Sequence, residues 1–135
     1  MIRMVKRIIE NTADIQFLVD AFYMKVKADD LIGPIFTDEL NFKWETHIPI
    51  MVSFWETMLL DEVTYKGNPM LTHIELNKRI PLKPDHFARW KKLFFETLDE
   101  NFDGERVEEA KKRVLAMEGL MQIKIAQSLN KGFIQ

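Results

Sequence analysis

The segment Tyr65-Lys66-Gly67-Asn68-Pro69-Met70-Leu71-Thr72-His73 stops one helix and starts another. Gly67 interrupts the chain, Asn68 is a good N-cap, and Pro69 fits the first helical position. The helix predicted after it is short, from Pro69 to about Leu76. It carries His73, with Met70 and Leu76 three residues away on either side. Upstream, Trp44, His47, Met51, Phe54, Trp55 and Met58 fall on one stripe, which predicts a helix from about Asn41 to Asp61. Pro49 sits early in it and should bend it if it lies past the first turn.

Helical spacing continues in both directions. Ile15, Leu18, Val19, Phe22 and Val26 predict a helix over about 12–28, which Thr12 or Asp14 can cap. Gly33-Pro34 breaks the chain, and Ile35-Phe36 anchors a short turn. Downstream of the opening segment, Pro81 and Pro84 punctuate a loop. Asp85 can cap a third long helix ending near Phe102, with Phe87, Trp90, Phe94 and Leu98 on its apolar face. Gly104 separates it from a last helix over about 105–129, where Val107, Ala110, Val114, Met117, Met121 and Ile125 recur. No segment shows strand alternation of useful length, and there are no repeats or linkers. The expected architecture is all-α, one domain over 1–135, with residues 1–11 a short extension or extra helix.

Composition limits what such a domain can do. The 135 residues are 47% hydrophobic and 30% charged, so a core is affordable and disorder is not indicated. Lys plus Arg is 19 against 21 Asp plus Glu, a net charge of −2, which argues against nucleic acid as the main partner. Cysteine is absent, which excludes disulfides, thiolate metal sites, thioether-linked haem and a Cys nucleophile. No secretion signal or membrane-spanning run is visible, so a cytoplasmic protein is expected. The surplus lies in 10 Phe, 3 Trp, 2 Tyr and 8 Met.

Four residues place polar tips on faces that should be buried: Tyr23, His47, His73 and Trp90. A buried donor without a partner costs about 1–3 kcal/mol, so each tip needs a partner or a ligand. Singly, a core histidine bonded to a carbonyl, or a core aromatic with its tip at the surface, is the commoner arrangement. Met117 and Met121 read as packing. The acidic and basic runs, Glu105-Arg106, Glu108-Glu109 and Lys111-Lys112-Arg113, read as solvated faces, and His86 reads as exposed. The four tips come from four separate helices, and helical proteins build ligand sites by such convergence.

There is no HExxH, no histidine pair at i, i+4 and no Gly-rich phosphate loop. Two histidines 26 positions apart are weak evidence for zinc. A cofactor that needs one axial donor fits better, and a neutral imidazole supplies that donor to haem iron. His73 is the better candidate, because its helix is firmly started by Asn68-Pro69. One ring nitrogen can donate to a carbonyl one turn earlier, near Pro69, and hold the ligating tautomer. His47 suits the opposite side, with Phe and Met side chains, Phe22 and Met70 among them, lining the flat faces.

The chain resembles the group III truncated haemoglobins of bacteria. The likeness is carried by Phe22-Tyr23 with Leu31-Ile32-Gly33-Pro34-Ile35-Phe36, and by Trp44-x-x-His47 with Phe54-Trp55-Glu56 and Leu59-Leu60. Tyr65-Lys66-Gly67-Asn68-Pro69-Met70-x-x-His73 and His86-Phe87-x-Arg89-Trp90 with Leu93-Phe94 complete it. It covers roughly residues 15–125. The resemblance implies a two-over-two helical sandwich around haem b, with His73 as the iron ligand. It implies a distal side lined by Tyr23, His47 and Trp90, and Phe36 as the wedge against the haem. Met51, one turn beyond His47, should face the same pocket. The propionate partners are not fixed by the motif: Lys78 and Arg79 are the nearest cations, with Tyr65 a third candidate.

Donors fixed in a dry pocket stabilise negative charge on a polar ligand. The expected function is therefore binding of oxygen, nitric oxide or other small haem ligands, with nitric oxide dioxygenase or peroxidase-like turnover. Electrons would come from a separate reductase as redox partner, since the chain has no room for a flavin or nicotinamide domain. A non-catalytic haem-based sensor or oxygen-binding protein is the alternative from another class, and a haem-free helical interaction module is a third.

Overall fold

The computed structural model describes residues 6–39 and 42–129. Within them lie β1 (Arg7–Ile8), α1 (Thr12–Ala28), α2 (Gly33–Thr37), α3 (Trp44–Leu60), α4 (Pro69–Arg79), α5 (Pro84–Asn101), β2 (Phe102–Asp103) and α6 (Glu105–Ser128). β1 and β2 form one short parallel pair, Arg7 opposite Phe102 and Ile8 opposite Asp103. The described part of the N-terminal extension is therefore partly extended and holds no extra helix, and residues 1–5 lie outside the described ones, as does Asn41.

The pair α1 and α3 packs across the pair α5 and α6, while α4 rests on α6. Large apolar side chains fill the crossing. Trp55 stacks on Phe94 at 4.9 Å between ring centroids, and Phe94 stacks on Trp90 at 5.0 Å. Phe22 meets both Trp90 and Phe94 edge-on. Such aromatic pairs contribute about 0.5–1.5 kcal/mol each beyond area burial. Leu18, Val26, Leu98 and Ile15 complete the floor, all fully buried.

Local chemistry sets the helix ends. Asn11, not Thr12 or Asp14, caps α1: its side chain accepts from the Asp14 N–H, and the Asp14 carboxylate accepts from the Asn11 N–H in return. Thr12 instead donates to the Glu56 carboxylate on α3. The cap of α5 is Lys83, with Pro84 behind it; Asp85 lies inside the first turn. His86 is half-buried, not exposed, and its Nδ1 accepts from the Lys83 N–H at 2.9 Å. Pro49 falls within α3 past its first turn, so one main-chain hydrogen bond is missing there.

Two ties hold the ends of the layers. Asp29 ends α1, and its carboxylate accepts from the Leu31 and Ile32 N–H groups and pairs with Arg89 at 2.7 Å. Burial works against its charge, but the two N–H groups and the Arg89 guanidinium prevail and hold its pKa below the usual carboxylate range. Arg106 does not lie idle on a solvated face. It donates to the main-chain carbonyls of Leu59 and Ile9, joining α6 to α3 and to the N-terminal segment. Among the described residues, no helix is long and apolar enough to cross a membrane.

Candidate functional site

The helices leave a cavity of about 620 Å³ between α3, α4, α5 and α6. That lies within the range of small-molecule and cofactor pockets, roughly 300–1,000 Å³. Tyr23, Phe36, His47, Met51, Tyr65, His73 and Trp90 all face it. A second hollow of about 240 Å³ lies beside it, and Phe36, His47, His73, Phe87 and Trp90 wall both. The four polar tips read from sequence thus converge on one slot.

Each is placed by its helix. Tyr23 comes from the middle of α1, is almost fully buried, and packs edge-on against Phe36 and Trp44. Its hydroxyl lies 2.8 Å from His47 Nε2, a polar link from α1 to α3 at the slot. Burial pushes the Tyr23 hydroxyl pKa far up, so it stays protonated. Burial pulls His47 down to about 4, and the neighbouring charge site at His73 adds to this. His47 is therefore a neutral imidazole near pH 7.

His73 stands on α4, whose start is fixed as expected: Asn68 accepts from the Leu71 N–H, and Pro69 occupies the first turn. His73 Nδ1 is 2.7 Å from the Pro69 carbonyl oxygen. A carbonyl only accepts, so Nδ1 carries the proton and Nε2 carries the lone pair. Burial lowers the His73 pKa, and the bond to Pro69 partly offsets this. The ring is a neutral, oriented donor of one nitrogen lone pair.

Three expected lining residues sit elsewhere. Phe22 lies behind Trp90 and Tyr23 as core, supporting the wall without facing the cavity. Met70 borders neither hollow. Lys78 also borders neither and is turned to Glu75 at 3.2 Å. Arg79 does line the second hollow, with its guanidinium held by Glu39 at 2.6 Å. Conversely, Met117 and Met121, read as packing, are cavity walls, as are Thr72, Lys66 and Lys91. Lys91 pairs with Glu118 at 3.0 Å on the α5–α6 side. The apolar stripe of α6 carried the signal for the two methionines, but a stripe does not distinguish a filled core from a cavity wall.

No family model matches the chain. It is similar to the group 3 truncated hemoglobin ctb of Campylobacter jejuni, with 36% identity over 92 residues, covering 66% of this chain and 70% of that protein. Its fold is similar to the crystal structure of group III truncated hemoglobin from Campylobacter jejuni, with a TM-score of 0.80 and 30% identity. That match covers 90% of this chain and 95% of the solved one. With the all-α two-layer fold and the four converging tips, these likenesses establish that the chain belongs to the group III truncated haemoglobins.

Proposed function

We propose that this chain binds haem b in the slot and uses it to bind and transform small diatomic ligands, with His73 as the iron ligand. The observation that carries this reading is the His73 ring, with Nδ1–H donated to the Pro69 carbonyl and Nε2 left as a lone-pair donor. The slot also fits the group: apolar surface predominates in its walls, with Phe36, Phe54, Phe87 and the thioethers of Met51, Met117 and Met121 among them. Bound there, haem would supply an iron that takes diatomic ligands and exchanges electrons.

The chain's own residues do the rest. Tyr23 keeps its proton and offers an O–H in a site screened from water. His47, neutral and 2.8 Å away, fixes the direction of that hydroxyl, either by accepting its proton or by donating from Nε2. Trp90 adds an indole N–H from α5 and closes the wall between both hollows. Preset donors of this kind need no reorganisation when charge appears on a ligand. They favour slow release of oxygen over easy transport, and so support oxidation of nitric oxide to nitrate or reduction of peroxide. Either turnover consumes electrons, which a reductase would supply.

Titration with haemin tests the first step, because Trp55 and Trp90 border the cavity and their fluorescence should be quenched to a one-to-one end point. Rapid mixing of the ferrous, oxygen-saturated protein with nitric oxide tests the second. Prompt ferric protein and stoichiometric nitrate are expected, and their absence removes the dioxygenase reading.

A further inference from the structure

His86 is the histidine that the reading above leaves unused. Its ring does not point out to solvent from the first turn of α5 but lines the second hollow, beside Arg79. Its Nδ1 accepts the Lys83 main-chain N–H at 2.9 Å. A nitrogen that accepts from an N–H holds a lone pair, so the neutral ring carries its proton on Nε2. This is the opposite tautomer to that of His73. Among the described residues no acceptor takes the Nε2–H.

Arg79 is equally fixed. Glu39 holds its Nε at 3.0 Å and one terminal nitrogen at 2.6 Å, and the other terminal nitrogen leans on the Glu75 carbonyl at 3.4 Å. The hollow therefore holds a preset N–H donor at His86 Nε2 and a guanidinium whose charge is already balanced by Glu39. It shares Phe36, His73 and Trp90 with the main cavity, so a flat group lying in the main cavity brings its edge here. The unengaged His86 N–H suits an acceptor-only group at that edge.

We propose that His86 is a carboxylate-binding residue that takes one propionate of the haem in the second hollow, through its Nε2–H. The proposal rests on the haem reading above. Lys78, the nearer cation by sequence, is turned to Glu75 outside the hollow. The α5 cap and the propionate contact then share one ring: Lys83 sets the tautomer and the tautomer sets the donor.

The test compares haem release from the reconstituted protein to an excess of a haem-scavenging apoglobin, using haem and haem dimethyl ester. A hydrogen bond to a charged group is worth enough to change the rate about tenfold or more. His86→Ala should release haem about tenfold faster than the wild type. With the dimethyl ester, which has no carboxylate, the two proteins should release at the same rate. His86→Gln keeps an acceptor for Lys83 and an N–H donor, and should release haem within a few-fold of the wild type. Equal acceleration of both ligands in His86→Ala would assign His86 to the helix cap alone and overturn the proposal. So would His86→Ala releasing haem at the wild-type rate. Failure of the wild type to take up haem would instead sink the haem reading itself.

Discussion

The Tyr23 hydroxyl and His47 Nε2 lie 2.8 Å apart and join α1 to α3 across a largely apolar slot. Neither ring has another polar partner among the described residues, so each is satisfied by the other or by a ligand. Replacing Tyr23 with Phe removes the O–H while keeping the ring in contact with Phe36 and Trp44. Oxygen release should accelerate by about 10–100-fold, the range for losing one buried hydrogen bond to a charged acceptor. Stopped-flow displacement of oxygen measures this. An unchanged rate would show that Tyr23 does not contact the ligand.

The same pair sets a pH dependence. His47 has an ordinary value of 6.5 in the unfolded chain and about 4 when folded, chiefly through burial. Between those values the unfolded chain holds a proton there that the folded chain does not. Lowering pH through that window therefore destabilises the fold, at a slope of up to about 1.4 kcal/mol per pH unit. Below pH 4 this contribution levels off. Urea unfolding of the haem-free chain at several pH values should show the slope. In His47→Phe it should be reduced, while the depressed His73 leaves a remainder of the same sign.

Two glycines should respond in opposite directions. A Cβ at Gly33 would stand 2.9 Å from the Val26 carbonyl oxygen, main-chain atoms that cannot swing aside. Gly33→Ala should cost about 1–3 kcal/mol by overpacking where α2 meets the end of α1. Gly119 lies inside α6 with nothing within 4 Å of an added Cβ. Gly119→Ala should stabilise by about 0.8–1 kcal/mol, the helix-propensity difference. Thermal unfolding of the two variants measures both signs in one experiment.

Much of this was legible in the sequence, for stated physical reasons. The bounds of α1 follow from the spacing of Ile15, Leu18, Phe22 and Val26, which only a helix brings to one face. The start of α4 follows from Asn68-Pro69. Capping was less legible: Asn11, Thr12 and Asp14 are all capping residue types side by side, and Lys83 caps α5 with no side-chain cap bond of its own. That Tyr23, His47, His73 and Trp90 line one cavity was readable because a polar tip on an apolar face must be satisfied somewhere. Depth was not readable. Periodicity gives the face of a helix but not whether that face meets a neighbour or a void. Phe22 therefore turned out to be core, Met117 and Met121 cavity wall, and Arg106 a clasp on two carbonyls.

Removing the cofactor should weaken the fold. The slot is walled by apolar side chains that a bound haem covers, and a ligand held only by the folded state stabilises it by mass action. The haem-free protein should melt several degrees below the haem-loaded one, and the gap should grow with added haem. Equal melting temperatures would mean that the slot is not the binding site.

The most direct measurement is the visible spectrum of His73→Gly reconstituted with haem, with and without added imidazole. His73 is oriented by the Pro69 carbonyl at 2.7 Å and lines the cavity, so its removal should abolish the proposed axial bond. The expected result is loss of the wild-type Soret band, and its recovery when imidazole fills the space left by the side chain. A wild-type Soret band in the variant without imidazole would contradict the assignment of His73 as the iron ligand.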